Sequence, residues 1–214
     1  MDDFLNAFPE SLRAEAEKPV RLLLTHIRPI KYIPEEKAAY FFDIQLGEEA
    51  LCVPFRLYDS DFSSEFRKEQ RIRLYAEMAA TDGLTLTQSL ILSCLLTRHC
   101  DGFVREDALC RIASTQETFV VPFVAQLASE YVYEILLQIG LRIDQFSPAI
   151  YGPVFRDNPA WFSKLRQRMI SYWDCYYRWH DYTSVDGGTH RSGHDPYIGF
   201  AVFDAFKNMA NNPG

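Results

Sequence analysis

The chain reads LTLTQSLILSCLLTRHCDGFVREDALCRIASTQETFVVPFVAQLASEYVYEILLQIGLRI from Leu84 to Ile143, and this stretch decides the fold. Its apolar residues recur at spacings of three and four, which places them on one face of a helix. Polar and turn-forming residues divide the stretch into four short helices in two similar pairs. We therefore predict a mostly α-helical protein built around two helical hairpins.

Helix boundaries in this stretch are predicted from single residues. Thr85 followed by Gln88 is the pattern of a capping box, in which each side chain accepts from the backbone N–H of the other residue. Gly102 suits the left-handed turn that often follows a helix, so it predicts that the first helix ends shortly before it. Thr118 is expected to cap the third helix, with Pro122 in or near the first turn, where the missing N–H of proline is least harmful.

The residues predicted to face the core recur every three or four positions along each helix. They are Leu86, Leu90, Ile91, Cys94 and Leu95 in the first helix, Val104, Ala108 and Ile112 in the second, Val120, Phe123, Val124 and Leu127 in the third, and Val132, Ile135, Leu136 and Ile139 in the fourth. We expect Val104, Leu127 and Ile135 in particular to be buried.

The start of the second helix resembles a known repeat family. The pattern Asp-x-x-Val-Arg-x-x-Ala is formed by Asp101, Val104, Arg105 and Ala108. It resembles the start of the second helix in HEAT-like repeats, although the next pair has Tyr133 where the arginine would stand. The resemblance covers residues 84–143 and implies HEAT-like helical hairpins, with Arg105 bonding between repeats. The same stretch is similar to bacterial proteins of no known function, so the resemblance implies a fold and no activity.

Length and composition are typical of a globular protein with a sizeable core. The chain has 214 residues, of which 48% are hydrophobic and 14% are aromatic. We predict a single domain over residues 1–214. Its parts are an N-terminal lobe with a helix and a β-hairpin (1–82), the helical repeat pair (84–143) and aromatic C-terminal helices (146–210).

Charge and cysteine usage limit the partners and the compartment. The net charge is −7, which argues against nucleic acid, because phosphate contacts require a basic face. The five cysteines are an odd number without close pairs, and the chain opens with two acidic residues rather than a positively charged leader. No apolar run approaches the ~20 residues that a membrane span requires. These features predict a soluble, cytoplasmic protein with reduced thiols and no membrane contact.

The N-terminal lobe is predicted to combine a helix with a β-hairpin. Residues 2–28 have a helical pattern with a break or bend at Pro19. Residues 40–57 contain two runs of alternating polarity joined by a connection with Gly47, which predicts a hairpin. Pro54 places its strand at an edge or beside a bulge, because proline has no N–H to donate to a ladder.

A long aromatic helix is predicted near the C-terminus. Asn158 and Pro159 provide a cap residue followed by proline at the first helical position, and the helix is expected to extend to about Trp179. Its aromatic residues cover more than one face, so we expect it to be almost surrounded by protein. Asp174 and Arg178 are four residues apart and are expected to form an ion pair.

Two polar clusters contain residue types that carry chemistry. His180, His190, His194 and Asp195 are ligand types that hold zinc, and they indicate an alternative function as a small metal-dependent hydrolase. Their spacing matches no established metal signature, and the glycines between them favour a surface loop. The second cluster combines imidazole and thiol in His99, Cys100, Asp101 and Cys110. These residues adjoin the predicted buried helices, where free cysteine behaves as a small hydrophobe, so a structural role is expected. We therefore predict no metal and no other cofactor.

An interaction protein is favoured over an enzyme, because packing residues are abundant and the sequence contains no nucleotide-binding or serine-hydrolase motif. Glu117, Glu130 and Glu134 are expected to supply negative charge to the concave side of the helical pairs, which would steer a basic protein partner toward it. The edge of the hairpin is the competing surface, since unpaired strand edges accept a strand from another chain. An inhibitor or an immunity-type partner of a toxin is one form that such a scaffold takes.

Overall fold

The computed structural model describes residues 2–27, 41–58, 83–178, 182–183, 189–190 and 197–212, with only the backbone for 182–183 and 189–190. They form a mostly α-helical fold with a small antiparallel β-hairpin near the N-terminus, as predicted. The chain divides into two compact units, Met1–Ile112 and Ala113–Gly214. This boundary falls between the two predicted helical pairs. The stacking of those pairs, their concave side and the single domain over residues 1–214 therefore stay predictions.

The first unit holds the N-terminal helices, the hairpin and the first helical pair. Its described elements are α1 (Asp2–Leu5), α2 (Glu10–His26), β1 (Phe41–Leu46), β2 (Glu49–Pro54), α3 (Leu86–Leu96) and α4 (Gly102–Ile112). Helix α3 packs against both α2 and α4, so the first predicted helical hairpin is formed. Helix α2 continues through Pro19, and the interruption of the N-terminal helical segment lies earlier, between α1 and α2.

The start of α3 follows the sequence pattern, whereas its end does not. The backbone N–H of Gln88 donates to Thr85 Oγ1 and that of Thr85 donates to Gln88 Oε1, each at 3.1 Å, which confirms the capping box. The predicted role of Gly102 is wrong, because α3 already ends at Leu96 and Gly102 is the first residue of α4. Leu86 does not face the core. It is 80% exposed, because the buried part of α3 begins only in its second turn.

The hairpin is closed by a two-residue turn, with Leu46 paired opposite Glu49. Gly47, the first turn residue, has a φ of 60°, which glycine adopts without steric cost and which a type II′ turn requires at this position. The backbone N–H of Cys52 donates to the Asn6 carbonyl at 2.7 Å. The outer edge of β2 is therefore engaged at this point by the N-terminal segment of the chain itself.

The second unit is almost entirely helical in its described part. Its elements are two short 3-10 helices (Thr118–Val120 and Ile143–Gln145), α5 (Val121–Leu127), α6 (Tyr133–Gly140), α7 (Pro148–Asp157), α8 (Pro159–Tyr176), β3 (Tyr182–Thr183), β4 (Thr189–His190) and α9 (Ile198–Asn211). Helix α9 packs against α6 and α7, and α5 packs against the same two helices. The predicted core residues Leu127 and Ile135 are fully buried here, and Val104 is buried in the first unit, as expected.

Two predicted helix caps in the second unit are wrong. Thr118 begins a 3-10 helix that leads into α5, so it is not the cap of α5, although Pro122 does lie in the first turn. Asn158 makes no capping bond to α8. Its side-chain N–H instead donates to the Val154 carbonyl at 2.8 Å, near the C-terminal end of α7. Pro159 nevertheless starts α8 as predicted.

Helix α8 is amphipathic, and the prediction that protein almost surrounds it is wrong. Its buried side chains are Trp161, Leu165 and Met169, at a spacing of four residues that forms a single packed row. The helix ends at Tyr176, and the predicted end at Trp179 lies outside the described residues. The remaining aromatic residues at its C-terminal end are therefore only partly covered.

Candidate partner-binding surface

Three tyrosines form a partly exposed cluster in the second unit, which we call the tyrosine patch. Tyr131 lies in the turn between α5 and α6, and Tyr172 and Tyr176 lie one turn apart near the end of α8. The ring centroids are 5.6 Å apart for Tyr131 and Tyr172, 5.9 Å for Tyr131 and Tyr176, and 6.1 Å for Tyr172 and Tyr176. Tyr131 is 47% exposed and Tyr176 is 54% exposed. The patch is therefore a continuous aromatic surface with two rings open to solvent.

A second set of rings is joined to the patch through Tyr177. Tyr177 lies 5.9 Å from Tyr133 and 5.1 Å from Tyr197, measured between ring centroids. Tyr133 and Tyr197 are buried and lie 6.0 Å apart. The Tyr177 hydroxyl donates to the Tyr131 backbone carbonyl. This bond joins the end of α8 to the turn before α6, so the two backbone segments that carry the patch are held together.

A carboxylate lies close to these rings. Glu134 is exposed in the first turn of α6, three residues after Tyr131. The pKa of Tyr177 is raised to about 12, first because the ring is partly buried and second because the negative charge of Glu134 is nearby. Among the described residues, Glu134 has no ion-pair partner. The surface therefore combines aromatic faces with an uncompensated negative charge.

Two arginines already lie over neighbouring rings, Arg168 within α8 and Arg178 just after its end. The Arg168 Cζ atom lies 5.9 Å from the Tyr172 ring centroid, and the Arg178 Cζ atom lies 5.6 Å from that of Trp173. Arg178 also forms the predicted ion pair with Asp174, at 2.7 Å on the surface. No cation of the described chain lies over Tyr131 or Tyr176.

The three glutamates predicted to bind a partner have different positions. Glu117 is exposed before the 3-10 helix that precedes α5, and Glu134 is exposed beside the patch. Glu130 is 2% exposed, so the prediction that it lies on a binding surface is wrong. The turn that follows α5 carries Glu130 inward and turns the next residue, Tyr131, outward. The tyrosine patch was not predicted from the sequence, although the spacing of four residues between Tyr172 and Tyr176 indicates a shared helix face.

The cluster around His99 has a structural role within the first unit. The His99 carbonyl accepts from Arg105 Nη1 at 2.9 Å and from Arg56 Nη1 at 3.2 Å. Arg105 Nη1 also donates to the Cys100 carbonyl at 2.8 Å, and His99 Nδ1 accepts from the Asp101 backbone N–H at 2.9 Å. These bonds hold the turn between α3 and α4. They join Arg105 to the segment that precedes its own helix, whereas the bonding between repeats implied by the HEAT resemblance stays a prediction.

The cysteines of the first unit differ in their surroundings. Cys94 is fully buried in α3, and burial raises the pKa of its thiol. Cys110 lies on α4, in the first helical pair as predicted, but it is exposed there, so the expectation that it packs as a small hydrophobe is wrong. Cys100 is half-buried, with its Sγ 3.9 Å from His99 Nδ1. All five cysteines of the chain lie in its described part, and none of them forms a disulfide.

The predicted metal ligands are outside the part of the chain whose side chains are described. His180, His194 and Asp195 are not described, and His190 is described only as backbone, paired with Tyr182 between β4 and β3. Elsewhere in the described ranges, no group of three or more His, Cys, Asp or Glu side chains is arranged to hold a metal ion. The metal site therefore stays an untested alternative.

Comparisons of the chain with protein-family models, with curated proteins and with solved structures found no match. None of the described helices combines the length and the apolar composition that a membrane span requires.

Proposed function

We propose that this protein is a helical scaffold that binds another protein, and that the tyrosine patch with Glu134 is its contact surface. The observation that carries the proposal is the group of three adjoining tyrosine rings, two of them about half exposed. Tyrosine is enriched at the energetic centres of protein interfaces. It offers a large amphipathic surface and loses little conformational entropy, because it has only two rotatable side-chain bonds.

The fixed geometry of the patch supports this proposal. The Tyr177 hydroxyl bonds the backbone of the turn that carries Tyr131, and the Tyr131 ring packs against both Tyr172 and Tyr176. A surface that is already ordered loses less entropy on binding than a mobile one. The patch is therefore prepared for a partner without a folding step.

The proposed partner is a protein with a basic contact surface. The chain has a net charge of −7, and Glu134 adds negative charge at the patch itself. Opposite charges steer two proteins together, so association should slow as salt rises. Glu117, exposed in the same unit, is proposed as a further negatively charged contact. An inhibitor or an immunity-type partner of a toxin remains one biological form of such a scaffold.

We also place the protein in the cytoplasm as part of the proposal. Five free thiols with no disulfide are compatible with a reducing compartment. No catalytic role is proposed.

The test is site-specific photo-crosslinking in cells that naturally produce the protein. A benzoylphenylalanine side chain is introduced at Tyr131 or Tyr176, and at Leu141 as a matched control. Leu141 is 69% exposed and lies in the same unit, after α6. We expect one crosslinked protein at both tyrosine positions and not at the control. Identical products at all three positions, or no product at either tyrosine, would contradict the proposal.

Hydrogen exchange on the captured complex then locates the interface. We expect slower exchange in residues 131–134 and 168–177, and an association rate that falls as salt is added. Protection confined to residues 40–57 would assign binding to the β-hairpin instead. A rate that does not change with salt would refute the steering by a basic partner.

A further inference from the structure

We infer that the tyrosine patch accepts an arginine side chain of the partner, with its guanidinium over the open rings of Tyr131 and Tyr176 and against the Glu134 carboxylate. This inference rests on the proposed function, since it names the chemistry of the group that the same surface recognises. It concerns one anchor residue of the partner rather than the whole interface.

Guanidinium groups of the chain itself already lie over rings at this end of α8. Arg168 lies over Tyr172 at 5.9 Å and Arg178 lies over Trp173 at 5.6 Å. A cation within about 6 Å of a ring centroid is attracted by the negative face of the aromatic system. Two ring faces at this end of α8, those of Tyr172 and Trp173, are therefore within reach of a planar cation.

Two rings of the patch and the neighbouring Glu134 carboxylate do not contact a cation of the described chain. No cation of the described chain lies over Tyr131 or Tyr176, and Glu134 has no ion-pair partner among the described residues. Arg178, by contrast, is engaged by Asp174 at 2.7 Å. The patch thus offers aromatic faces and a negative charge together, which are the two groups that a cation contacts.

The charge of the patch distinguishes between kinds of ligand. A phosphate or carboxylate group would meet both the Glu134 charge and the negative ring faces, so an anion is disfavoured. Between the two cationic side chains, arginine is favoured over lysine. Its guanidinium is planar, more weakly hydrated than an ammonium group, and stacks on aromatic rings.

The test uses a blocked glycine peptide that contains a single arginine, compared with the same peptide containing citrulline. Citrulline has nearly the same shape but no charge. A fluorotyrosine is introduced at Tyr131 or at Tyr176, and its fluorine NMR signal is followed as each peptide is added at neutral pH. We expect the arginine peptide to shift both signals saturably at millimolar concentrations, whereas the citrulline peptide leaves them unchanged.

Variants of the protein assign the contacts. We expect Glu134→Gln to weaken arginine binding about two- to five-fold, as for a partly exposed charge pair. We expect Tyr176→Leu, read at the Tyr131 signal, to weaken it by a similar factor through loss of the ring face. Asp204→Asn is the matched control, because Asp204 is an exposed carboxylate on α9 in the same unit and should leave binding unchanged. Unchanged melting curves would show that the variants fold.

The outcomes separate this inference from the proposed function. Equal shifts with the citrulline peptide, or no shift with the arginine peptide, would refute the arginine anchor even if crosslinking identifies a partner at the patch. Equal weakening by Glu134→Gln and Asp204→Asn would refute the part assigned to Glu134. Arginine binding without any crosslinked partner would contradict the proposed function and leave a cation-binding patch.

Discussion

Replacement of Ile135 by alanine should destabilise the second unit strongly. Ile135 has no solvent exposure, and its helix α6 packs against α5 and α9. The substitution removes three carbon atoms from a closed core, and each is worth about 0.8 kcal/mol in transfer free energy. The cavity left behind adds to this loss, so we expect the free energy of unfolding to fall by about 2–4 kcal/mol.

Thermal unfolding followed by tryptophan fluorescence measures this effect in the correct unit, because all three tryptophans of the chain lie in residues 113–214. A loss of 1 kcal/mol lowers the melting temperature of a protein of this size by about 2–4 °C, so Ile135→Ala should lower it by about 4–16 °C. Ile135→Val, which removes one carbon atom, should cost about 0.5–1.5 kcal/mol. Leu141→Ala, at a site that is 69% exposed, should change stability by no more than about 0.5 kcal/mol. If Ile135→Ala melts at the same temperature as Leu141→Ala, the assignment of the buried face of α6 is wrong.

Three further predictions concern thiols, pH and metal content. Cys110 should react with iodoacetamide in the native protein and Cys94 only after unfolding, because burial blocks Cys94 and raises the pKa of its thiol; equal labelling of the two by peptide mass spectrometry would contradict this. The pKa of Tyr177 rises from 10.0 to about 12 on folding, so the folded state favours the neutral phenol. The stability that this shift contributes is complete below about pH 10 and is lost as the pH rises toward 12. Between about pH 10 and 12, the free energy of unfolding measured in urea should fall less steeply with pH for Tyr177→Phe than for the natural protein. Identical dependence on pH in the two proteins would exclude the pKa shift. Elemental analysis should find less than one zinc, manganese or iron per chain, and a stoichiometric metal that is lost in a His190→Ala, His194→Ala double variant would overturn the scaffold proposal.

Local sequence patterns determined the elements and most of their buried faces. The Thr85–Gln88 capping box depends on residues three apart, and the turn at Gly47 depends on a φ that glycine adopts without strain. The buried positions of Val104 and Ile135 follow from the period of 3.6 residues, because that period alone decides which side chains share a face. For these features, no distant contact was needed.

Contacts between distant segments decided the remaining features. Helix α3 ends at Leu96 rather than near Cys100, the predicted end shortly before Gly102. The backbone beyond it is bonded to a distant segment, since the N–H of Leu57 donates to the Arg98 carbonyl at 2.6 Å. No pattern within α3 carries information about Leu57. The burial of Glu130 and the exposure of Tyr176 are likewise set by which neighbours pack against each segment. Periodicity assigns a ring to a face of a helix, but only the packed structure decides whether that face is covered or is left open to a partner.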